Sequence, residues 1–322
     1  MHTFLNSRWQ LGALQLPHRL IQGPLAGYSC APFRVLYHHF QAPAYCVSEM
    51  CSAIDVLSKH GKNSRYLYKD PKEHYLAYQL SGTEPNVLAD AALLLQEHGA
   101  DLIDINCGCP KTKIRKKGAG SALLEDPKRL VAIIQAVRQA INIPLTIKIR
   151  IQNSPADLIL AQQIEEAGAD ALIVHGRRWQ EDYDIACNFH QIGQIKRHLQ
   201  IPVIANGDLH SVASLEYAYS ATGCDAFMIA RAGSGKPWLY QHLLAKKPAV
   251  ISMQQKKDLF LEHIEGLATL EEAHQAILQS KSLIRYYFGD LLHQEQLQTY
   301  YTLSSLQQIK DFIAVSISNA LT

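Results

Sequence analysis

Short, dense apolar runs alternate along the chain with longer stretches in which apolar residues recur every three or four positions. Compact apolar runs bounded by turn residues predict buried strands, and the 3.6-residue period predicts amphipathic helices. Strands are predicted at His18–Leu25, Ala44–Glu49, Tyr75–Leu80, Leu102–Asn106, Leu145–Arg150, Ala171–His175, Val203–Asn206 and Ala226–Ala230. Helices are predicted at Pro32–Phe40, Asn86–His98, Pro127–Ile141, Ala156–Ala167, Phe189–Leu199 and Val212–Ala221, with a weaker helical pattern over Cys51–Lys62.

Three junctions repeat one device: HGADLIDIN, AGADALIVH and TGCDAFMIA. In each, a glycine (Gly99, Gly168, Gly223) follows a helix, where the left-handed position past the last turn suits glycine. An aspartate follows after one residue, and then a strand begins. Ile143–Pro144 and Ile201–Pro202 introduce two further strands, because proline cannot continue a helix and forces an extended residue before it. Eight apolar strands alternating with helices imply parallel strands covered on the outside. Eight is also the number that closes a (β/α)8 TIM barrel. An open doubly wound sheet would carry G-x-G-x-x-G after its first strand, and none is present. Beyond Lys246 the strand pattern stops. Helical spacing continues through Leu259, His263 and Leu267, and again through Leu283–Leu292. The expected organisation is an α/β (β/α)8 barrel over residues 1–245, followed by a small all-helical domain over 246–322.

Composition narrows this little. The 322 residues are 48% hydrophobic and 19% charged, with a formal charge of +2, so an anionic partner can be argued only from local clustering. The first twenty residues lack a basic-then-apolar signal layout, and no apolar run is long enough to span a bilayer. Seven scattered cysteines then predict reduced thiols and a cytoplasmic protein without membrane attachment. Cys107 and Cys109 form an isolated C-x-C with no second Cys/His pair at matching spacing, so no metal site is expected.

Chemistry in such a barrel collects at the C-terminal ends of the strands. There the sequence places Pro24, Glu49, Gln79, Asn106, Lys148 with Arg150, His175 with Arg177, Asn206-Gly207-Asp208, and Arg231. Donors and acceptors at several heights suit a flat heterocycle carrying a phosphate. They do not suit a metal, because the carboxylates and histidines are not grouped. Arg231-Ala-Gly-Ser-Gly-Lys236 follows the eighth strand, where barrels often bind phosphate beside a short extra helix. Cys109 sits in a Gly-Cys-Pro turn, and Lys111, Lys113, Arg115, Lys116 and Lys117 follow it at once. A basic run beside an exposed thiol predicts an anionic macromolecule lying across the site. In SKSLIRYYFGDLL, Lys281 and Arg285 interleave with Tyr286 and Tyr287 as a second basic surface.

GPLAGYSCAPFR, VSEM, QLSGTEPNVLADAA, DINCGCP, KKGAGSALLEDP, IKIR, VHGR, IPVIANGD and MIARAGSGKPW together resemble the flavin-dependent tRNA-dihydrouridine synthases, most of all the bacterial B-type branch. The resemblance covers the whole barrel. It implies reduction of a tRNA uridine to 5,6-dihydrouridine with FMN as cofactor and NADPH as electron donor. It further implies that Pro24 and Leu25 contact the flavin ring, and that Gln79 and Asn106 bond the flavin or the substrate base. Lys148 would meet the pyrimidine edge of the flavin, and His175 would lie close to flavin and substrate. Asn206, Gly207 and Asp208, with Ala230, Arg231 and Gly233, would hold the phosphate. Cys109 would be the catalytic acid. Lys111, Lys113, Arg115, Lys116, Lys117, Arg150, Arg177, Lys281 and Arg285 would meet tRNA, bound by a monomer. The chain departs from the family pattern in three places. Ala230 stands where Gly is usual, Leu25 where Met is usual, and Tyr183-Asp-Ile-Ala-Cys-Asn-Phe189 where Y-x-G-x-A-D-W is usual. A flavin barrel reducing a free pyrimidine and a non-catalytic RNA-binding barrel are the competing readings.

Overall fold

The computed structural model describes residues 1–58, 65–248 and 250–317. A hairpin comes first, with β1 (Trp9–Leu11) antiparallel to β2 (Leu14–Leu16). The barrel strands are β3 (Leu20–Gln22), β4 (Cys46–Val47), β5 (Cys51–Ser52), β6 (Leu76–Ser81), β7 (Leu102–Cys107), β8 (Leu145–Arg150), β9 (Ala171–His175), β10 (Val203–Asn206) and β11 (Ala226–Ile229). All nine are parallel to their neighbours. Pairing of β4 with both β3 and β6, and of β11 with β3, closes the ring as an eight-strand barrel, with β5 extending the line of β4 along β6. The expected (β/α)8 barrel is therefore present.

The Gly-x-Asp junctions work as repeated clasps. Gly99, Gly168 and Gly223 have φ of +85°, +103° and +64°. Asp101, Asp170 and Asp225 each accept a 2.8 Å hydrogen bond from the backbone N–H of Leu76, Leu145 and Val203, which lie at the start of the preceding strand. Each carboxylate also pairs with a cation, Lys69 at 2.6 Å, Arg138 at 2.8 Å and Lys196 at 2.8 Å. One short motif thus ends a helix, starts a strand and ties that strand to its neighbour.

Two strands differ from expectation for local reasons. The first ends at Gln22. Gly23 N still donates to Ile229 O at 2.8 Å, but Pro24 has no N–H with which to continue the ladder. The second breaks between Val47 and Cys51, where the Ser48 hydroxyl accepts from Gln79 N at 3.1 Å. That break turns Met50 toward the barrel mouth and Glu49 away from it, onto Gly27 N and Arg65. The weak helical pattern over Cys51–Lys62 yields a helix only at Ala53–Leu57, and residues 59–64 lie outside the described residues. The hairpin was not expected. Trp9, Leu11 and Leu16 pack among the inward-facing barrel residues Ile21, Ala77, Leu102, Ile173, Ile204 and Met228, so the hairpin stoppers the end opposite the C-terminal strand ends.

Beyond the barrel, helices run over Met253–Leu270, Ala273–Phe288, Gln294–Thr302 and Leu306–Ser316. They share a continuous apolar core with the barrel's outer helices, and His263 packs its ring 5.5 Å from that of Phe33. Arg65 bridges the two regions, 2.8 Å from Glu49 and 2.7 Å from Glu271. No helix among the described residues is long and apolar enough to cross a membrane.

Candidate active site

The C-terminal strand ends surround a cavity of about 650 Å³, inside the range of roughly 300–1,000 Å³ typical of small-molecule sites. Pro24, Leu25, Gln79, Asn106, Cys109, Lys148, His175, Asn206, Gly207, Asp208, Ala230 and Arg231 all line it. These are the same residues that the sequence put at the ends of seven different strands.

The pleat explains the convergence. Alternate residues of a barrel strand face inward, and parallel register sets them side by side. Asn106 is the register partner of Lys148, and His175 that of Asn206. Lys148 Nζ donates to Asn206 Oδ1 at 3.1 Å, and Asn206 Nδ2 donates to Met228 O at 2.8 Å. Asn106 Nδ2 donates to Gln79 Oε1 at 2.8 Å, while Asn106 Oδ1 accepts from Cys109 N at 2.9 Å. The Cys109 carbonyl in turn accepts from the Ser121 hydroxyl at 3.0 Å. The turn carrying the thiol is therefore held from both sides.

Electrostatics set Lys148 and His175 apart. Burial first, and then the Arg150 guanidinium, pull Lys148 down to about 8. It stays mostly charged at neutral pH but can exchange a proton close to it. Burial, followed by the cations Lys148, Arg150, Arg177 and Arg231, pushes His175 far below its ordinary range. His175 is therefore a neutral hydrogen-bonding ring rather than an acid.

The far wall is a loop locked by one arginine. Arg177 is 1% exposed. Its guanidinium donates to both Asp208 oxygens at 2.7 and 2.8 Å, to Tyr183 O at 3.1 Å, to Cys187 Sγ at 3.2 Å and to Ile185 O. Gly207, at φ +115°, sits so tightly on this loop that a Cβ would fall 2.2 Å from Cys187 Sγ. Arg231 lies 3.5 Å above the Tyr183 ring and 4.0 Å from Asp208, with its side chain half exposed. The turn that follows it rests on the helical region, since a Cβ at Gly235 would lie 2.7 Å from the Tyr286 carbonyl carbon.

The family model of dihydrouridine synthases (Dus) matches residues 21–320. The chain belongs to the dihydrouridine synthase family. It is 36% identical over 286 residues to the tRNA-dihydrouridine synthase B of Shewanella oneidensis, covering 86% of this chain and 88% of that one. It is also 36% identical over 266 residues to that of Vibrio cholerae, covering 80% and 82%. A probable tRNA-dihydrouridine synthase 1 of Synechocystis is 32% identical over 321 residues, covering 97% and 90%. Among solved structures, a 2-naphthoyl-CoA reductase complex aligns over 77% of this chain and 53% of its own, with a TM-score of 0.62 at 10% identity. A 6-hydroxypseudooxynicotine amine oxidase of Pseudomonas geniculata covers 80% and 50%, with a TM-score of 0.58 at 13% identity. At such identities the likeness concerns the fold alone.

Within this family member, several residues expected to meet RNA prove to be braces. Arg177 is buried and fully engaged, so it holds the 183–187 loop instead of reaching outward. Arg150 is 5% exposed and donates to Gly108 O at 2.9 Å and Arg178 O at 3.0 Å, bracing the thiol turn while also lining the cavity. Arg115 stacks 3.6 Å over Trp179 and pairs with Glu125 at 2.7 Å. Asp208 lines the cavity, but its carboxylate is spent on Arg177 and on Cys187 N, so it braces the 183–187 loop instead of offering a free acceptor. By contrast Lys111, Lys113, Lys116 and Lys117 are exposed, and Lys111 lines the cavity. Arg285 is exposed with its Nε donating to Tyr301 Oη at 2.6 Å, Lys281 is half-buried, and Tyr287 points into the core while Tyr286 faces out. Sequence reasoning missed Met50, Tyr183, His210 and Met228, which also line the cavity.

Arg177→Ala should cost about 3 kcal/mol of unfolding free energy, because it strands a carboxylate and several loop carbonyls at once. Denaturant unfolding measures this. Arg177→Lys should recover little, since one ammonium cannot replace a planar fork.

Proposed function

We propose that this chain reduces the C5=C6 bond of a tRNA uridine, using FMN held in the barrel mouth and NADPH as the source of electrons, in the cytoplasm and as a monomer. The observation that carries this reading is the grouping of Cys109, Lys148, Gln79, Asn106 and His175 around one cavity, with Lys111 on its lining and three more exposed lysines within the next six residues. The residues fit the cofactor. Pro24, Leu25 and Met228 offer apolar surface to a flat ring, Lys148 and the two amides offer polar contacts, and Arg231 with the Gly207 backbone offers an anion-binding end.

FMN, when bound, supplies the hydride. The chain's own residues do the rest. C5=C6 is conjugated to the C4 carbonyl, so hydride arriving at C6 leaves negative charge over C5 and O4. Cys109 gives the proton to C5 as general acid, and its thiolate is reprotonated from solvent. Lys148 would hold positive charge against bound FMN, and neutral His175 hydrogen-bonds without competing for the proton. A stacked base cannot reach the barrel mouth, so the uridine must be extruded. Lys111, Lys113, Lys116 and Lys117 then hold the backbone, with Lys281 and Arg285 of the 246–322 domain as the second support.

The test is incubation of the purified flavoprotein with NADPH and either tRNA transcripts or free uracil, followed by mass mapping of dihydrouridine. Product in tRNA and none from uracil is expected. Equal turnover of free uracil would transfer the assignment to a pyrimidine reductase. Protein that binds tRNA but carries no flavin would leave an RNA-binding barrel.

A further inference from the structure

Asp104 lies on β7 beneath the cavity floor, is 0% exposed, and takes no part in the chemistry above. Its register partners are Gln79 on β6 and Thr146 on β8. One carboxylate oxygen accepts from Gln79 Nε2 at 2.7 Å and the other from Thr146 Oγ1 at 2.6 Å. We infer that Asp104 is a positioning residue, which fixes the amide polarity of Gln79 and Asn106 and through them holds the Gly108–Cys109 turn.

The argument is one of forced donors and acceptors. An ionised carboxylate can only accept. Gln79 must therefore present its NH2 to Asp104 and its Oε1 to Asn106, from which that oxygen accepts at 2.8 Å. Asn106 is left with Oδ1 facing the N–H groups of Gly108 at 3.2 Å and Cys109 at 2.9 Å. Backbone N–H groups can only donate, so the far end of the chain imposes the same polarity. Each amide retains one further N–H, and both side chains line the cavity. The floor is thereby set to offer donors, which selects a heterocycle presenting carbonyl or ring-nitrogen acceptors there.

The charged and titratable groups facing Asp104 are Lys148 from β8, the Tyr45 phenol just before β4, and Cys107 on its own strand. Burial raises Asp104 to about 6, against the opposing hydrogen bonds from Gln79 and Thr146 and the Lys148 charge. Above that pH the anchor is a charge-assisted hydrogen bond. Below it the protonated acid donates to Thr146 and accepts from Gln79 as a neutral group, as an asparagine would, and neutral bonds are weaker.

The experiment compares native holoenzyme with Asp104→Asn and Asp104→Ala. It follows the rate of iodoacetamide alkylation at Cys109, resolved by peptide mass mapping from pH 5 to pH 8, together with dihydrouridine formation. At pH 8, Asp104→Ala should alkylate roughly tenfold faster as the turn loosens and lose roughly tenfold or more in turnover. Asp104→Asn should fall between the two. The ratio of Asp104→Asn to native rates should shrink toward one below pH 6, where the native side chain becomes neutral. Alkylation at the native rate in Asp104→Ala, or a ratio indifferent to pH, would overturn the proposal. Asp104→Asn keeps the native shape, so the pH comparison stands even if Asp104→Ala does not fold. The role rests on Cys109 lying in a working site. Should tRNA remain unmodified while the alkylation ratios behave as described, the substrate reading fails and the positioning role survives.

Discussion

Cys109→Ala is expected to cut dihydrouridine formation by roughly 10²- to 10⁴-fold, the contribution usual for a positioned general acid. The loss should be confined to proton delivery. The turn is fixed by backbone groups, with Cys109 N held by Asn106 and the Cys109 carbonyl by Ser121, and neither contact uses the thiol. The variant should therefore fold, keep its flavin absorbance and oxidise NADPH. Mass mapping of tRNA after fixed incubation, beside the absorbance of the same sample, reads both halves. Wild-type product levels would remove Cys109 from the reaction, and loss of the flavin would recast it as a structural residue.

The second large effect concerns RNA. Simultaneous alanine replacement of Lys111, Lys113, Lys116 and Lys117 should weaken tRNA binding by about tenfold to a hundredfold near physiological salt. It should also flatten the dependence of log affinity on log salt by about three, since each phosphate contact contributes about 0.7–0.9 to that slope. Filter binding across a salt series measures both. The corresponding loss from Arg115 should be smaller, because its guanidinium is already committed to Trp179 and Glu125. An unchanged slope in the four-lysine variant would move the RNA to another face.

These outcomes mark where sequence was readable. The clasps at Gly99, Gly168 and Gly223 were legible because left-handed glycine and the following aspartate are local requirements. The cavity wall was legible because inward positions at strand ends follow from period-two alternation once the barrel is inferred. Arg177 was misread for the opposite reason. Its partner Asp208 is 31 residues away, and nothing in VHGR states that the guanidinium turns inward. Arg115 was misjudged likewise, since a basic side chain reads as solvated until its partners, here Trp179 and Glu125, are known. The hairpin was overlooked although WQL-GA-LQL carries a two-residue turn between alternating apolar positions. Asp104 stood in a quoted motif, yet its hydrogen bonds to Gln79 and Thr146 are visible only across three strands.

The stopper formed by Trp9, Leu11 and Leu16 fills the barrel end opposite the cavity, so among the described residues the cavity opens at the other end. A nicotinamide delivering electrons and a nucleic acid receiving them would have to pass through the same opening. On the proposed chemistry they would take turns, one departing before the other is admitted. The enzyme would then keep the electrons in its own custody between two visitors that never meet.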